Sequence, residues 1–365
     1  MANKPLKILV DLSTNNSIYS GVSRYALNIL HGFVENKIDN ILILASPQIY
    51  DYIRNEFAGY ECIKSKYKNG NILSNLFRLS HQINKIDCDI VFATVPGKFL
   101  LGCRKPIVQT IHDLQYFLSP SLSTRLLMKC LIPFVLLRSL KIIAISNFVK
   151  QDIRKHYPFI PNSKIQVIYN SVNLTINNQS HEKQNFILYV GRLEKTKNII
   201  TLLRAFNLIK DSTPIKLKLI GKATKYWDNE LYPFIVENNL TSRVKLITES
   251  ISDADLYKIY SSCKMLVHPS IAEGFGYTPV EAAILHAPVI TTKEASLYET
   301  TKGLLNYCDN PYDAQELANR IISLLQNPPT NESLNHISSE LSTSYNYKEL
   351  AKSIHKYITH NIHVS

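Results

Sequence analysis

In the segment HPSIAEGFGYTPVEAAILHAPVITT, His268 to Thr292, two carboxylates flank a glycine loop. Glu273 stands directly before Gly274-Phe275-Gly276, and Glu281 follows with seven residues between the pair. The segment reads as a strand end, a loop, a helix and the next strand. Glycines let the backbone approach a ligand closely. A helix opening at Thr278–Pro279 offers unpaired N–H groups and the positive end of a dipole to an anion. A carboxylate in such a loop adds nothing to packing, so Glu273 points to chemistry. Glu281 has a plainer reading. Thr278-x-x-Glu281 is the pattern of a capping box, with Pro279 at the first helical position, and there Glu281 would only satisfy backbone donors.

Three further segments carry reactive side chains. In YVGRLEKTKNIITLLRAF, Tyr189 to Phe206, Arg192 and Lys197 flank a turn between a strand and a helix. An Arg fork and a Lys point charge beside helix-terminal amides can hold a diphosphate, although each such pair taken alone is more often a solvated basic turn. In TIHDLQYF, Thr110 to Phe117, His112 and Asp113 follow an apolar strand at its carboxyl end. In SGVSRYALNIL, Ser20 to Leu30, Gly21 permits close backbone approach and Arg24 can meet a phosphate. The chain has no G-x-x-x-x-G-K-[ST] loop, and no G-x-G-x-x-G opens the first helix of either half. No Ser-His-Asp set and no His, Cys and Asp cluster with metal-ligand spacing is present.

These residues need strands to hold them. Apolar β-type runs occur at Leu6–Leu12, Ile41–Ala45, Ile90–Ala93, Ile107–Ile111 and Ile142–Ile145, and again at Phe186–Val190, Lys216–Ile220, Val244–Ile247, Met265–His268 and Pro288–Thr291. Helix-period segments such as Ser23–Phe33, Ile199–Lys210 and Asp253–Ser262 lie between them. Strand and helix alternation with near-continuous apolar strands predicts α/β architecture with parallel sheets covered on both faces. Two such series predict two doubly wound, Rossmann-like domains facing each other across a cleft. The expected boundaries are 1–170 for the first domain, 171–184 for a polar linker, 185–345 for the second, and 346–365 for a C-terminal helix packing back on the first. Ligands in open α/β sheets bind at the carboxyl ends of strands, where every segment above falls.

A length of 365 residues suits two domains, and 45% hydrophobic with 19% charged residues excludes disorder and fibre. The formal charge of +12 is uneven: Met1–Lys164 has 21 basic and 10 acidic residues, the remainder 20 and 19. Between Asp113 and Asp152 there is no acidic residue but Arg125, Lys129, Arg138, Lys141 and Lys150. In Leu122–Leu140 the basic residues alternate with Leu, Met, Ile and Phe, a composition that suits either a helix lying on an anionic membrane or a core helix with a solvated basic face. Nucleic acid is not expected, for no basic-aromatic or zinc module is present. Six scattered cysteines without C-x-x-C, no signal peptide and no long uncharged apolar run predict a cytoplasmic protein with reduced thiols, peripheral at most on the inner face of the membrane.

Taken in order, the segments resemble the retaining glycosyltransferases of family 4, which have the GT-B fold. The resemblance is carried by GRLEKTKNIITLLRAF and EGFGYTPVEAAILHAPVI, with support from Gly21-x-x-Arg24-Tyr25, His112-Asp113-Leu114 and AISNFVKQDI at Ala144–Ile153. It implies that Arg192 and Lys197 bind the donor diphosphate and that Glu273 touches the donor sugar's hydroxyls. Amides at Phe275 and Gly276, beside Gly274, hold sugar and phosphate. Glu281 contacts the ribose, which reverses the capping-only reading. His112 lies near the reacting sugar, and Gly21, with Arg24 and Asp113, lines the phosphate or acceptor side. No metal or other cofactor is implied. Where many members have two glycines this chain has Ser20-Gly21, and the interdomain Asn-Gly-Val-Asp is Asn170-Ser171-Val172-Asn173.

The expected activity is hexosyl transfer from a nucleotide-diphosphate sugar to a hydroxyl of a growing, polyprenyl-diphosphate-linked glycan of bacterial O-antigen, capsule or lipopolysaccharide. GDP, UDP, dTDP and ADP donors all stay open. GDP-mannose is favoured because the Gly-x-x-Arg-Tyr start resembles bacterial mannosyl- and rhamnosyltransferases. The alternatives are a GT-B epimerase of sugar nucleotides, a phosphorylase, and a non-catalytic binding subunit of a polysaccharide assembly complex.

Overall fold

Runs such as ILILA and IVFA are too short for stable helices and rich in β-branched residues, so they pair as strands. The computed structural model describes residues 5–66, 72–96, 102–115, 122–174 and 182–360. The chain divides into two units, Met1–Asn173 with Tyr345–Ser365, and Leu174–Ser344. In the first, β1 (Ile8–Leu12), α1 (Gly21–Glu35), β2 (Ile41–Ala45), α2 (Tyr50–Glu56), β3 (Glu61–Lys64), α3 (Ile72–Asn84), β4 (Ile90–Ala93), β5 (Ile107–Ile111), α4 (Leu122–Arg138), β6 (Lys141–Ala144), α5 (Asn147–His156) and β7 (Ile165–Val167) follow one another. The second has β8 (Phe186–Val190), α6 (Ile199–Ile209), β9 (Lys216–Ile220), α7 (Tyr232–Glu237), β10 (Val244–Ile247), α8 (Asp253–Ser262) and β11 (Met265–His268). It continues with α9 (Tyr277–Ile284), β12 (Val289–Thr292), α10 (Leu297–Thr300), β13 (Asn306–Cys308), α11 (Ala314–Gln326) and α12 (Asn331–Ser344), and α13 (Tyr347–Thr359) belongs again to the first.

Among the described residues each unit has one sheet, all parallel: β3-β2-β1-β4-β5-β6-β7 in the first and β10-β9-β8-β11-β12-β13 in the second. The strand order reverses between β1 and β4 in one and between β8 and β11 in the other, and at such a switch point the loops leave in opposite directions and open a crevice at the strand ends. The central strands are buried along their length, as two-sided helical cover requires. Three strands stand outside the predicted set: β3, β7 and β13. All three are edge strands, and none is a continuous buried apolar run.

The C-terminal helix α13 packs on α1, adding Ala351, Ile354 and Ile358 to the core built on Ile29 and Phe33. The crossing is close because residue 32 is glycine. A Cβ there would collide with that of Ala351 and stand 2.7 Å from the Tyr347 carbonyl oxygen. Ser171–Asn173, read from the sequence as the start of a linker, belong to the first unit: Val172 N donates to Tyr345 O at 2.8 Å, and Asn28 Nδ2 donates to Ser171 O at 2.7 Å. Residues 175–181 of that linker, Tyr116 and Phe117, and positions 361–365 lie outside the described residues.

Candidate functional site

In the second unit the switch point joins two loops. The first leaves β8 at Gly191, whose φ of +150° favours glycine, and Tyr189 Oη donates to Arg192 O at 3.0 Å. A Cβ on Gly221 would strike the Gly191 carbonyl, so the turn after β9 closes against this loop only because residue 221 has none. A 3-10 turn, Lys195–Lys197, then leads through Asn198, in the left-handed region at φ +52°, into α6. Asn198 Nδ2 donates to Pro311 O at 2.6 Å and fixes that corner.

The second loop leaves β11 after His268. Ile271 N donates to Thr196 O at 3.0 Å, which ties the two loops together. Lys197 Nζ consequently lies 2.7 Å from Glu273 Oε1, with the side chains only 13% and 15% exposed. His268 Nε2 bonds the same oxygen at 2.9 Å. Burial acts to raise the Glu273 pKa, and it is the largest single influence. The Lys197 ammonium and the hydrogen bonds from His268 and Lys197 together outweigh it and hold the carboxyl at about 2. An ionised carboxylate only accepts, so the imidazole donates from Nε2.

Hydroxyls fix the backbone of this loop. Thr291 Oγ1 donates to His268 O at 2.9 Å, Thr292 Oγ1 to Ser270 O at 2.6 Å, Ser296 Oγ to Glu273 O at 2.9 Å and Thr300 Oγ1 to Phe275 O at 2.6 Å. All four donors are buried. Gly276 turns the chain into α9 at φ +85°, where a Cβ would approach Leu297 Cδ2 to 2.7 Å. The helix begins at Tyr277, one residue before the predicted cap, and no side chain caps it. Thr278 and Glu281 are therefore both inside the helix, Pro279 is its third residue, and the capping-box reading of Glu281 is corrected. Glu281 is buried. Arg192 stands on the surface, 71% exposed and paired with Glu194 at 2.8 Å.

In the first unit the polar groups gather at the ends of β1, β4 and β5. Ser13 N donates to buried Asp11 Oδ1 at 2.9 Å, and Thr94 Oγ1 donates to Asp11 O at 3.0 Å. Thr94 O in turn accepts from His112 Nε2 at 2.8 Å, since a carbonyl oxygen can only accept. Burial lowers the His112 pKa against the opposing effects of that bond and of Asp113. The ring is thus neutral at pH 7, with Nδ1 as an acceptor. Tyr25 of α1 meets it edge-on at 4.9 Å, and its hydroxyl shares a 2.8 Å bond with Thr110 Oγ1. Asp113 Oδ1 accepts from Gln115 N at 3.0 Å and shapes its own turn. Gly21 is the first residue of α1, where the Ser20 side chain accepts from Ser23 N as N-cap, and Arg24 is half-buried beside Tyr25.

The structure thus assembles Lys197, Glu273 and the Gly274–Gly276 turn in one unit, and His112, Asp113 and the start of α1 in the other. His268 and the four hydroxyl donors are additions that spacing did not single out. The signal for His268 was its place at a strand's carboxyl end, five residues before Glu273. Among the described residues no three His, Cys, Asp or Glu side chains converge as a metal site, and no helix is long and apolar enough to cross a membrane. All six cysteines are free thiols.

A family model described as Glycosyltransferase Family 4 matches residues 19–176, and one described as Glycosyl transferases group 1 matches residues 173–340. The chain is 33% identical to the O-antigen chain mannosyltransferase RfbU of Salmonella typhimurium over 221 residues, which are 60% of this chain and 61% of that protein. It is 29% identical to an uncharacterized glycosyltransferase of Methanocaldococcus jannaschii over 331 residues, 89% of this chain and 86% of that one. Among solved structures, Anabaena HepE in complex with UDP and glucose superposes with a TM-score of 0.75 at 18% identity, over 98% of this chain and all of that one.

Proposed function

The chain belongs to the glycosyltransferases of family 4, with two Rossmann-like domains of the GT-B type, and from that premise we propose that it moves a hexose from a nucleotide-diphosphate sugar to a hydroxyl with retention of configuration. The observation that carries this reading is the Lys197–Glu273 pair at the β8/β11 switch point, a cation for a diphosphate beside a carboxylate for sugar hydroxyls. In the proposed reaction the bond from the anomeric carbon to the phosphate oxygen breaks. A bond to the acceptor oxygen forms on the same face, and the acceptor proton passes to the departing phosphate. Lys197, Arg192 and helix N-terminal amides stabilise the charge that develops on the diphosphate, which is the role a metal plays elsewhere. Glu273 orients the sugar, Glu281 takes the ribose, and His112 offers Nδ1 as an acceptor near the reacting sugar.

The donor favoured is GDP-mannose, on the likeness to an O-antigen chain mannosyltransferase. The test is thermal unfolding in EDTA with GDP, UDP, dTDP and ADP, each near a hundred times its dissociation constant, where a ligand of the folded state adds about 2.7 kcal/mol. Stabilisation by GDP that Lys197→Ala abolishes is the expected result. Stabilisation by no nucleotide and no sugar nucleotide would sink the donor assignment.

The acceptor proposed is a glycan on a polyprenyl diphosphate, met at an anionic membrane through α4. Its support is a row of exposed apolar side chains, Leu122, Leu126, Phe134 and Leu137, with Leu140 just beyond the helix and exposed Lys129 alongside, while the Arg138 guanidinium donates to the carbonyls of Cys103 and Lys105. Apolar side chains that insert beside cations that meet lipid headgroups suit a helix lying in the interface. Lys141 takes no part, for its ammonium is held by the carbonyls of Tyr357 and His360. Sedimentation with anionic vesicles at low salt is expected to exceed that with neutral ones, and Phe134→Glu to reduce it. Equal binding to both vesicle types counts against the membrane surface.

A further inference from the structure

We propose that His268 is a positioning residue that keeps the Glu273 carboxylate aimed at the donor sugar once Lys197 is drawn to the diphosphate, an inference that rests on the donor reading above. Lys197 Nζ and His268 Nε2 both bond Oε1, at 2.7 and 2.9 Å, and Oε2 takes neither bond. The two donors differ in how firmly they are held. Lys197 ends a flexible four-carbon stem and has three N–H groups to share, so a bound diphosphate competes directly with Glu273 for it.

His268 has no such freedom. It is the last residue of β11, its side chain is 3% exposed, and its carbonyl is bonded by Thr291. Its ring stacks parallel to that of Tyr189, at 9° and 6.3 Å between centroids, and Tyr189 is anchored through its hydroxyl to Arg192 O. With Oε1 fixed by an immobile N–H, the carboxylate does not swing when the lysine turns away. Oε2 stays set to receive a sugar hydroxyl.

The unsatisfied atom points the same way. His268 Nδ1 is buried and has no hydrogen-bond partner among the described residues. A histidine present only to fill the core would carry this desolvation cost for nothing, whereas Phe stacks on Tyr189 equally well without it. Among the described residues, the one bond the imidazole makes is to Glu273.

The test uses the full chain with His268→Phe, which keeps the stacked ring and removes the donor, and His268→Gln, which restores an N–H at similar reach. Calorimetry with the nucleoside diphosphate and with its sugar nucleotide is read beside kcat and KM. Expected is nucleoside diphosphate affinity within about twofold of wild type in both variants. In His268→Phe, kcat should fall roughly 10–100-fold, the range found when a residue orienting a ligand group is removed. Recovery of most of that loss in His268→Gln is expected, with no further loss when His268→Phe is added to Glu273→Gln. Unchanged kcat in His268→Phe overturns the inference alone, and so does an equal loss of nucleoside diphosphate affinity, which would mark a structural role. A wild-type chain that binds no nucleoside diphosphate overturns the donor reading and this inference with it.

Discussion

Beside the β1/β4 switch point of the first sheet, the polar group that follows β5 is a neutral imidazole, His112, bonded to the carbonyl of Thr94 at the end of β4. At the corresponding point of the second it is a carboxylate gripped by a lysine and a histidine. The two units share a topology and differ in what they preorganise. The second holds charge ready-made. Glu273 is ionised, the Lys197 side chain that pairs with it is 13% exposed, and four buried hydroxyls fix the carbonyls of the loop that follows β11. The first presents a neutral acceptor supported by Thr94, Thr110 and Tyr25, and its positive charge is spread over its surface. In the reaction proposed above this is a division of labour in which one unit anchors an anionic leaving group and the other aligns neutral hydroxyls. A fixed charge opposite a developing charge contributes more to rate than a neutral hydrogen bond does.

That ranking is open to test. Lys197→Ala is expected to lower kcat/KM by about 10²–10³, and His112→Ala by roughly tenfold, in assays with the sugar nucleotide. Equal losses would erase the distinction between the units. The hydroxyl supports sharpen it in stability. Thr300→Val removes the donor to Phe275 O and leaves a buried carbonyl short of a bond, at a cost of about 1–3 kcal/mol in urea unfolding. A Thr300→Val chain as stable as wild type would show that the loop does not need that support.

The smallest effect is on pH dependence. The His112 pKa is lower folded than unfolded, so between the two values the unfolded chain binds more protons and stability rises with pH. Its contribution is present above about 6.5 and is lost as pH falls through the folded value. Glu273 behaves likewise but much lower, its contribution present above the ordinary Glu pKa and lost only as pH falls toward about 2. Urea titrations from pH 7 to pH 5 are therefore expected to show a loss of stability that His112→Ala reduces and that Glu273→Gln leaves in place, the remainder coming from His31, His286 and His355, whose pKa values burial also lowers.

Sequence and structure agree where burial is complete on both faces. Ile41–Ala45, Ile107–Ile111 and Phe186–Val190 were legible to the residue because an inner strand of a covered parallel sheet is one apolar run. The edge strands β3, β7 and β13 were not, since half-solvated strands carry Glu, Lys, Gln and Asn and lose that signature. Of the charged candidates read near glycines at strand ends, Lys197 and Glu273 meet at 2.7 Å, whereas Arg192 stands apart on the surface, paired with Glu194. What holds that site was not legible. Thr291, Thr292, Ser296 and Thr300 act on carbonyls 22 to 25 residues earlier in the chain, and no local pattern encodes such a pairing. The start of α9 was misplaced for a related reason: Gly276 turns the chain through a left-handed conformation, and the helix opens without the side-chain cap that Thr278 and Glu281 advertise.

The return of α13 to α1 also has a consequence for biosynthesis. Leu174–Ser344 leave the ribosome as one uninterrupted stretch and can fold as a unit at once. The unit synthesised before them cannot, because Ala351, Ile354 and Ile358, which cover the apolar face of α1, are still unmade. At about 5–20 residues per second, the stretch from the end of α1 to Ala351 keeps that face open for roughly 15 to 65 seconds. During that interval it is available to chaperones and to neighbouring nascent chains, so the half that is translated first is completed last.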